Sequence, residues 1–389
     1  MKKLLIALFL VVIAAILFFF FFAGSMVDKS MNVCLHPDAE HYNVSTEALS
    51  FHEDLIVADL HSDVLLWDRD ITKRGNHGHT DVPRLREGNF TLQVFDAVIK
   101  TPRGQNYESN TGDSDNITML AMANRWPGKT WKSLYERAIY QSEKLYAISD
   151  KDPDFRIVTS STEMESLVND RAQNQKILGG VLSIEGLHAL EGDINKLDKL
   201  YEAGYRMMGP VHFFDNDIGG SSAGIDQYGL TDLGKEVIKR MDELSITIDL
   251  AHASPKLIDD ILDLTERPVI VSHTGIKGVI DSPRNLTDNQ IFRITKNGGL
   301  IGIGFWDGAV GSPDLKSITK SMRYVKYLVG ADYIALGSDW DGGTTTYFDA
   351  AHISALTEAM MEAGFSKEEI RKIMGENVIN FFKRNLPRT

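Results

Sequence analysis

A chain of 389 residues, 43% of them hydrophobic, is long enough for one large domain or two average ones around a sizeable core. Its formal net charge of −13 argues against nucleic acid or an anionic membrane surface as the main partner. The single cysteine, Cys34, excludes an internal disulfide framework and a cysteine-rich zinc site, so any bound metal must be held by histidine and carboxylate.

The first element is apolar. Met1-Lys2-Lys3 precedes an unbroken apolar run over residues 4–23 that includes the five phenylalanines Phe18 to Phe22. A spanning helix needs about 20 residues, whereas a signal-peptide core has about 7–15. Residues 1–25 therefore read as an uncleaved signal anchor, with a cleaved signal peptide as the alternative. Bulky phenylalanine just ahead of Ala23-Gly24-Ser25 suits a cleavage site poorly. Lys2 and Lys3 hold the N-terminus in the cytoplasm, which leaves the rest of the chain extracytoplasmic, anchored in the membrane or secreted after cleavage. Residues 26–50 are polar and aperiodic and read as a linker. The folded domain is expected over residues 51–389.

Residues 55–60 form the first predicted strand, ending in Asp59-Leu60-His61-Ser62-Asp63. A loop over 69–86 follows, in which His77 and His79 read as solvated. Residues 90–98 alternate apolar and polar side chains and read as a second strand. A polar insertion over 101–116 leads into an amphipathic helix over 117–149, interrupted near Trp126-Pro127-Gly128 and packed by Trp126 and Trp131. Thereafter apolar runs at 177–184, 205–211, 246–250, 268–272, 300–305 and 333–336 alternate with helical patterns. Residues 349–383 supply closing helices, and His188 reads as a helix-surface residue. Eight strands alternating with helices predict an α/β fold of the (β/α)8 TIM-barrel type. The runner-up, a doubly wound open sheet, would show a glycine-rich phosphate loop early in the chain. Gly302-x-Gly304 lacks the third glycine and comes late.

Five of these strand ends carry metal-type ligands. His61 and Asp63, two residues apart, share one face of their strand. Glu185 stands in Ser183-Ile184-Glu185-Gly186, where a carboxylate could bridge two ions. His252 closes Asp249-Leu250-Ala251-His252, His273 closes Val271-Ser272-His273, and Asp339 lies in Gly337-Ser338-Asp339-Trp340-Asp341-Gly342. One histidine at the end of an apolar run is more often structural. Five such strand ends converging on one barrel mouth point instead to a metal centre. Histidine with carboxylate favours zinc, with manganese or cobalt able to substitute, and the charge count suits two ions bridged by Glu185 and a water or hydroxide. Asp341 reads either as orienting its neighbours or as a turn residue. Asn43, Asn89, Asn116 and Asn285 match the weak glycosylation pattern.

These motifs, with Asp81-Val82-Pro83-Arg84-Leu85 and Ser282-Pro283-Arg284-Asn285, occur in an order that resembles the renal-type membrane dipeptidases, binuclear zinc barrels of the amidohydrolase superfamily. The resemblance runs from about residue 55 to Gly375-Glu376-Asn377-Val378. It implies that His61 and Asp63 bind the first zinc, Glu185 bridges, and His252 with His273 bind the second. It implies that His212 contacts the substrate carbonyl oxygen as the oxyanion forms, and that Arg284 pairs with the substrate carboxylate. Asp339 would pass the proton from the bridging water to the leaving amine. The implied substrate is a dipeptide with a free C-terminal carboxylate. The sequence leaves room for a homodimer, for another amidohydrolase acting on N-acyl-D-amino acids or lactams, and for a binding barrel that has lost catalysis. Ser62 replaces an asparagine common in the family.

Overall fold

The computed structural model describes residues 1–388. Eight parallel strands form the centre: β1 (Val57–Ser62), β2 (Phe90–Val98), β3 (Leu178–Glu185), β4 (Tyr205–Gly209), β5 (Thr247–Ile248), β6 (Ile270–Thr274), β7 (Leu300–Ile303) and β8 (Ile334–Leu336). They are hydrogen-bonded in the order β5-β4-β3-β2-β1-β8-β7-β6. A parallel bridge between Asp249 and Ile270 joins the ends of that path, with the Leu250 amide donating to the Ile270 carbonyl at 2.7 Å. The ring therefore closes, and neighbours in it are neighbours in sequence. This is the TIM-type barrel expected, and the open sheet is excluded.

Every residue of β1, β2 and β3 is buried, as strands with helices outside and packed side chains inside require. Some boundaries move for local reasons. β4 stops at Gly209 because Pro210 has no amide to offer the ladder. β5 is short because the chain turns at Asp249, whose carboxylate accepts the amides of Ala251 and Ser272 at 3.0 and 2.8 Å. The long helix divides into Asn116–Ala123, a tight turn at Gly128–Trp131, and Leu134–Ser149, since Pro127 cannot continue it. A short strand, Phe155–Ile157, adds to the lower half of β3, and an unforeseen helix, Leu315–Val329, follows β7.

The N-terminal part is more ordered than its composition suggests. Lys2–Met31 is a continuous helical run of 30 residues with mean hydropathy 3.3 in its most apolar window, long and apolar enough to cross a membrane. The stretch 26–50, read as a linker, is instead built onto the domain. Val33–Cys34 pairs in parallel with Thr345–Thr346, and the helix Thr46–Glu53 buries Ala48, Phe51 and His52. Its contacts are backbone pairing and single side chains, which leave no hydrophobic period to read.

Candidate metal centre

The C-terminal ends of the strands meet at one mouth. His61 lies within β1, and Asp63 follows it. Glu185 is the last residue of β3, and His273 lies within β6. His212, His252 and Asp339 stand on the first turns after β4, β5 and β8. His252, Asp339 and Asp341 adopt left-handed φ of 63°, 57° and 64°, conformations that a non-glycine residue holds only when its surroundings enforce them. Here a hydrogen bond to each carbonyl does so. The Ser222 amide donates to His252, the Thr344 hydroxyl to Asp339, and the Trp67 indole to Asp341, each at 2.7 Å.

Glu185 is the hub. Its Oε2 lies 2.9 Å from His212 Nε2, and its Oε1 lies 3.2 Å from His61 Nε2 and 3.4 Å from the Nε2 atoms of both His252 and His273. Asp63 Oδ1 is 3.4 Å and Asp339 Oδ1 4.0 Å from His61 Nε2. The structure thus brings together seven of the eight residues singled out from the sequence. Arg284, the eighth, is buried on the same cavity wall and is fixed by its Nη2 donating to the His273 carbonyl at 2.8 Å.

The electrostatics are those of crowded carboxylates among imidazoles. Burial alone would raise Glu185, yet His212 and His61 hold it well below the usual carboxylate range. Burial would lower His61, yet Asp63 and Glu185 hold it well above the imidazole range. Burial raises Asp339 far above an ordinary aspartate, and Asp63 and Glu185 add to it against the pull of His61. His252 and His273 are driven the other way by burial, so both favour the neutral form that can ligate a metal.

The donor set fits divalent cations. His61 Nε2, Asp63 Oδ1 and Glu185 Oε1 are buried without a hydrogen-bond partner, which is costly unless a ligand completes them. Ligand atoms of His61, Asp63, Asp96 and Glu185 lie within 4.8 Å of one another, as do those of Glu185, His212 and His252, and those of His61, Glu185 and His273. Glu185 is common to all three groups. Around them, Asp59 accepts from Gln93 at 2.6 Å and from the Ser338 amide and hydroxyl at 2.8 Å, and the same hydroxyl approaches the His61 carbonyl.

Several side chains here were not anticipated. Asp96, on β2, joins the His61 group, and its carboxyl is raised well above the usual range by burial and by Glu185. A charged residue inside a wholly buried strand was its sequence signal. Tyr107, in the polar insertion, accepts from the Trp306 indole at 2.8 Å at the cavity edge, and the Phe213 ring lies tilted against those of His212 and His252. The insertion is pinned by Asn110, whose amide donates to the Ala223 carbonyl at 2.8 Å.

Three histidines differ from their sequence reading. His79 is not solvated but fully buried, because its Nδ1 accepts the Asp341 amide at 3.1 Å. His77 is half-buried and pairs with Asp28 at 2.9 Å. His188 lies inside the turn Leu187–Leu190 against Phe214, not on a helix surface.

Residues 45–386 match the model of the membrane dipeptidases, Peptidase family M19. The chain belongs to that family. With the histidine–carboxylate cluster at its mouth, it is a metallopeptidase of the M19 dipeptidases. It is 25% identical over 318 residues to an uncharacterized dipeptidase of Schizosaccharomyces pombe, covering 79% of this chain and 73% of that one. It is 22% identical over 359 residues to mouse Dipeptidase 3, covering 87% and 66%. Among solved structures, a Rhodobacter sphaeroides metallo peptidase liganded with a phosphinate mimic of the dipeptide L-Ala-D-Ala superposes with TM-score 0.69 at 24% identity, covering 85% of this chain and all of that one. The probable dipeptidase PvdM of Pseudomonas aeruginosa gives TM-score 0.72 at 19% identity, covering 87% and 97%. The likenesses to solved structures are of fold.

Proposed function

We propose that the chain hydrolyses the peptide bond of dipeptides with a free C-terminal carboxylate, using two zinc ions bridged by Glu185 and a water or hydroxide. The observation that carries this reading is the convergence of four imidazole Nε2 atoms on Glu185 within 3.4 Å, in a cavity that Arg284 and Asp339 also line. His61 and Asp63 would hold the first ion, His252 and His273 the second. The ions would polarise the scissile carbonyl and supply a deprotonated water near neutral pH.

The remaining work falls to side chains. Arg284 presents a buried guanidinium, with its Nε unpartnered, to which a substrate carboxylate can pair. This limits the substrate to molecules whose carboxylate lies one residue from the bond broken. His212, on the cavity wall, donates to the carbonyl oxygen as charge develops there. Asp339, whose carboxyl burial raises well above the usual aspartate range, takes the proton of the attacking water and passes it to the leaving nitrogen. The dipeptide mimic bound by the Rhodobacter relative supports this substrate class.

The helix Lys2–Met31 supports an uncleaved anchor that keeps the barrel on the extracytoplasmic face. Full-length protein in detergent, loaded with zinc, is to be assayed against dipeptides of both C-terminal configurations and against their C-terminal amides. Hydrolysis of the free acids and not the amides is expected. Equal rates on acids and amides would remove Arg284 from carboxylate recognition and leave a broader amidohydrolase.

A further inference from the structure

The cavity at the mouth, of about 550 Å³, is lined by apolar side chains as well as by the ligand cluster. One wall is Phe19, Ala23, Val27 and Met31 of the N-terminal helix, which face Ile117 and Leu120 of Asn116–Ala123. These helix positions recur every fourth residue and so form a single stripe.

The stripe is held in place by specific contacts. At Gly24 a Cβ would lie 1.8 Å from Asn124 Oδ1, so a larger residue there would have to displace the Asn124 side chain. Asp28 is 2% exposed and pairs with Arg69 Nε at 3.1 Å and His77 Nε2 at 2.9 Å. Arg69 in turn pairs with Asp341 Oδ1 at 2.7 Å, and Asn32 Oδ1 accepts the Gly343 amide at 2.9 Å. The end of the helix is thereby tied to the loop that carries Asp339.

Resting on the dipeptidase reading above, we propose that this stripe is a specificity element: it walls an apolar compartment that takes the side chain of the substrate's N-terminal residue and favours large apolar ones. The direction follows from Arg284. Arg284 is bonded to the His273 carbonyl, whereas Asp63 stands beside His61 at 3.4 Å, so a peptide whose carboxylate pairs with Arg284 crosses Glu185 with its other end toward Asp63. A Cβ on Gly342 would lie 2.1 Å from Asp339 Oδ1 and 2.6 Å from Asp63 Oδ2, and the adjacent Gly343 lies beneath Met31. The end of the substrate remote from Arg284 is therefore the end that meets the helix. Lys2–Phe18, 17 residues, would then anchor the chain while the continuation from Phe19 to Met31 selects its substrate, and cleavage near Ser25 would remove Phe19 and Ala23 from the wall.

The test is the ratio of kcat/KM for a leucyl dipeptide over the alanyl dipeptide with the same C-terminal residue, in full-length zinc-loaded protein. Wild type should favour the leucyl substrate. Val27→Ser, and independently Phe19→Ser two stripe positions and about two turns away, should each lower that ratio by about tenfold, the scale of one apolar side-chain contact in a pocket. An unchanged ratio in both variants, with wild-type metal content, would overturn the proposal while leaving the dipeptidase reading intact. Failure of wild type to cleave either substrate would overturn that reading and this one with it.

Discussion

The Nε2 atoms of His252 and His273 lie 3.1 Å apart. Ser272 Oγ stands 2.9 Å from His273 Nδ1, and Ser272 is bonded to Asp249 through both its amide and its hydroxyl. A hydroxyl already donating to a carboxylate can only accept from the ring, so His273 Nδ1 carries the proton and Nε2 presents a lone pair toward His252. That arrangement favours a cation between the rings and Glu185. Purified protein is expected to hold close to two zinc ions per chain by elemental analysis. A chelator should abolish activity and lower the melting temperature, because an ion that binds only the folded state stabilises it by mass action. Glu185→Gln should lose at least one ion, and a variant that keeps both would remove Glu185 as the bridge.

Asp339→Asn and Arg284→Ala should separate catalysis from binding. Neither side chain is required as a ligand, so both variants should fold and keep their metals. Asp339→Asn removes proton delivery, and kcat should fall by about 10²–10⁴-fold with little change in KM. Arg284→Ala removes a contact present in ground and transition states alike, so KM should rise most, at a cost of about 2–5 kcal/mol in binding. The opposite pattern in the two variants would exchange their roles.

The strand ends were legible because a barrel repeats one grammar: an apolar run, then a polar residue at or just beyond its end. His61, Asp63, Glu185, His252 and His273 all obey it. Asp96 sits one period inside its strand, where the alternation hides it. The fates of His77 and His79 depended on partners far along the chain, Asp28 and Asp341, which no local pattern announces. The docking of residues 26–50 was likewise invisible, because it rests on a two-residue ladder and one buried carboxylate rather than on a hydrophobic face.

Cys34 gives a solvent-readable test of that docking. Burial first, and then Asp349, push its thiol up from 9.0 to about 12. The folded protein thus keeps the proton over a range in which the unfolded chain has lost it, and stability from this group declines as pH rises through 9 toward 12. An alkylating reagent at pH 8 should modify unfolded protein rapidly and native protein slowly, since the thiolate is the nucleophile. Equal rates in the two states would mean that Val33–Cys34 does not stay paired with Thr345–Thr346.

Asp341 should matter for stability as much as any residue at the mouth. It is fully buried and accepts from the amides of His79 at 2.9 Å and Thr80 at 3.0 Å, besides its pair with Arg69. Burial would raise its pKa, but Arg69 and His79 hold it well below the usual carboxylate range. Asp341→Asn keeps the shape and removes the charge. Arg69 then keeps only Asp28 as a buried counter-ion, and wherever the new amide turns toward Thr80 a donor meets a donor. Breaking a buried pair from one side costs about 3–5 kcal/mol. Urea denaturation of the metal-loaded protein should show a loss of that order at pH 7. Because the folded-state pKa is depressed, the wild-type advantage is present above the unfolded aspartate value and is lost as pH falls through the folded one. The two proteins should therefore differ fully at neutral pH and converge in strong acid. A difference at pH 7 below about 1 kcal/mol, the range of an exposed pair, would mean that this network does not hold the loop carrying Asp339.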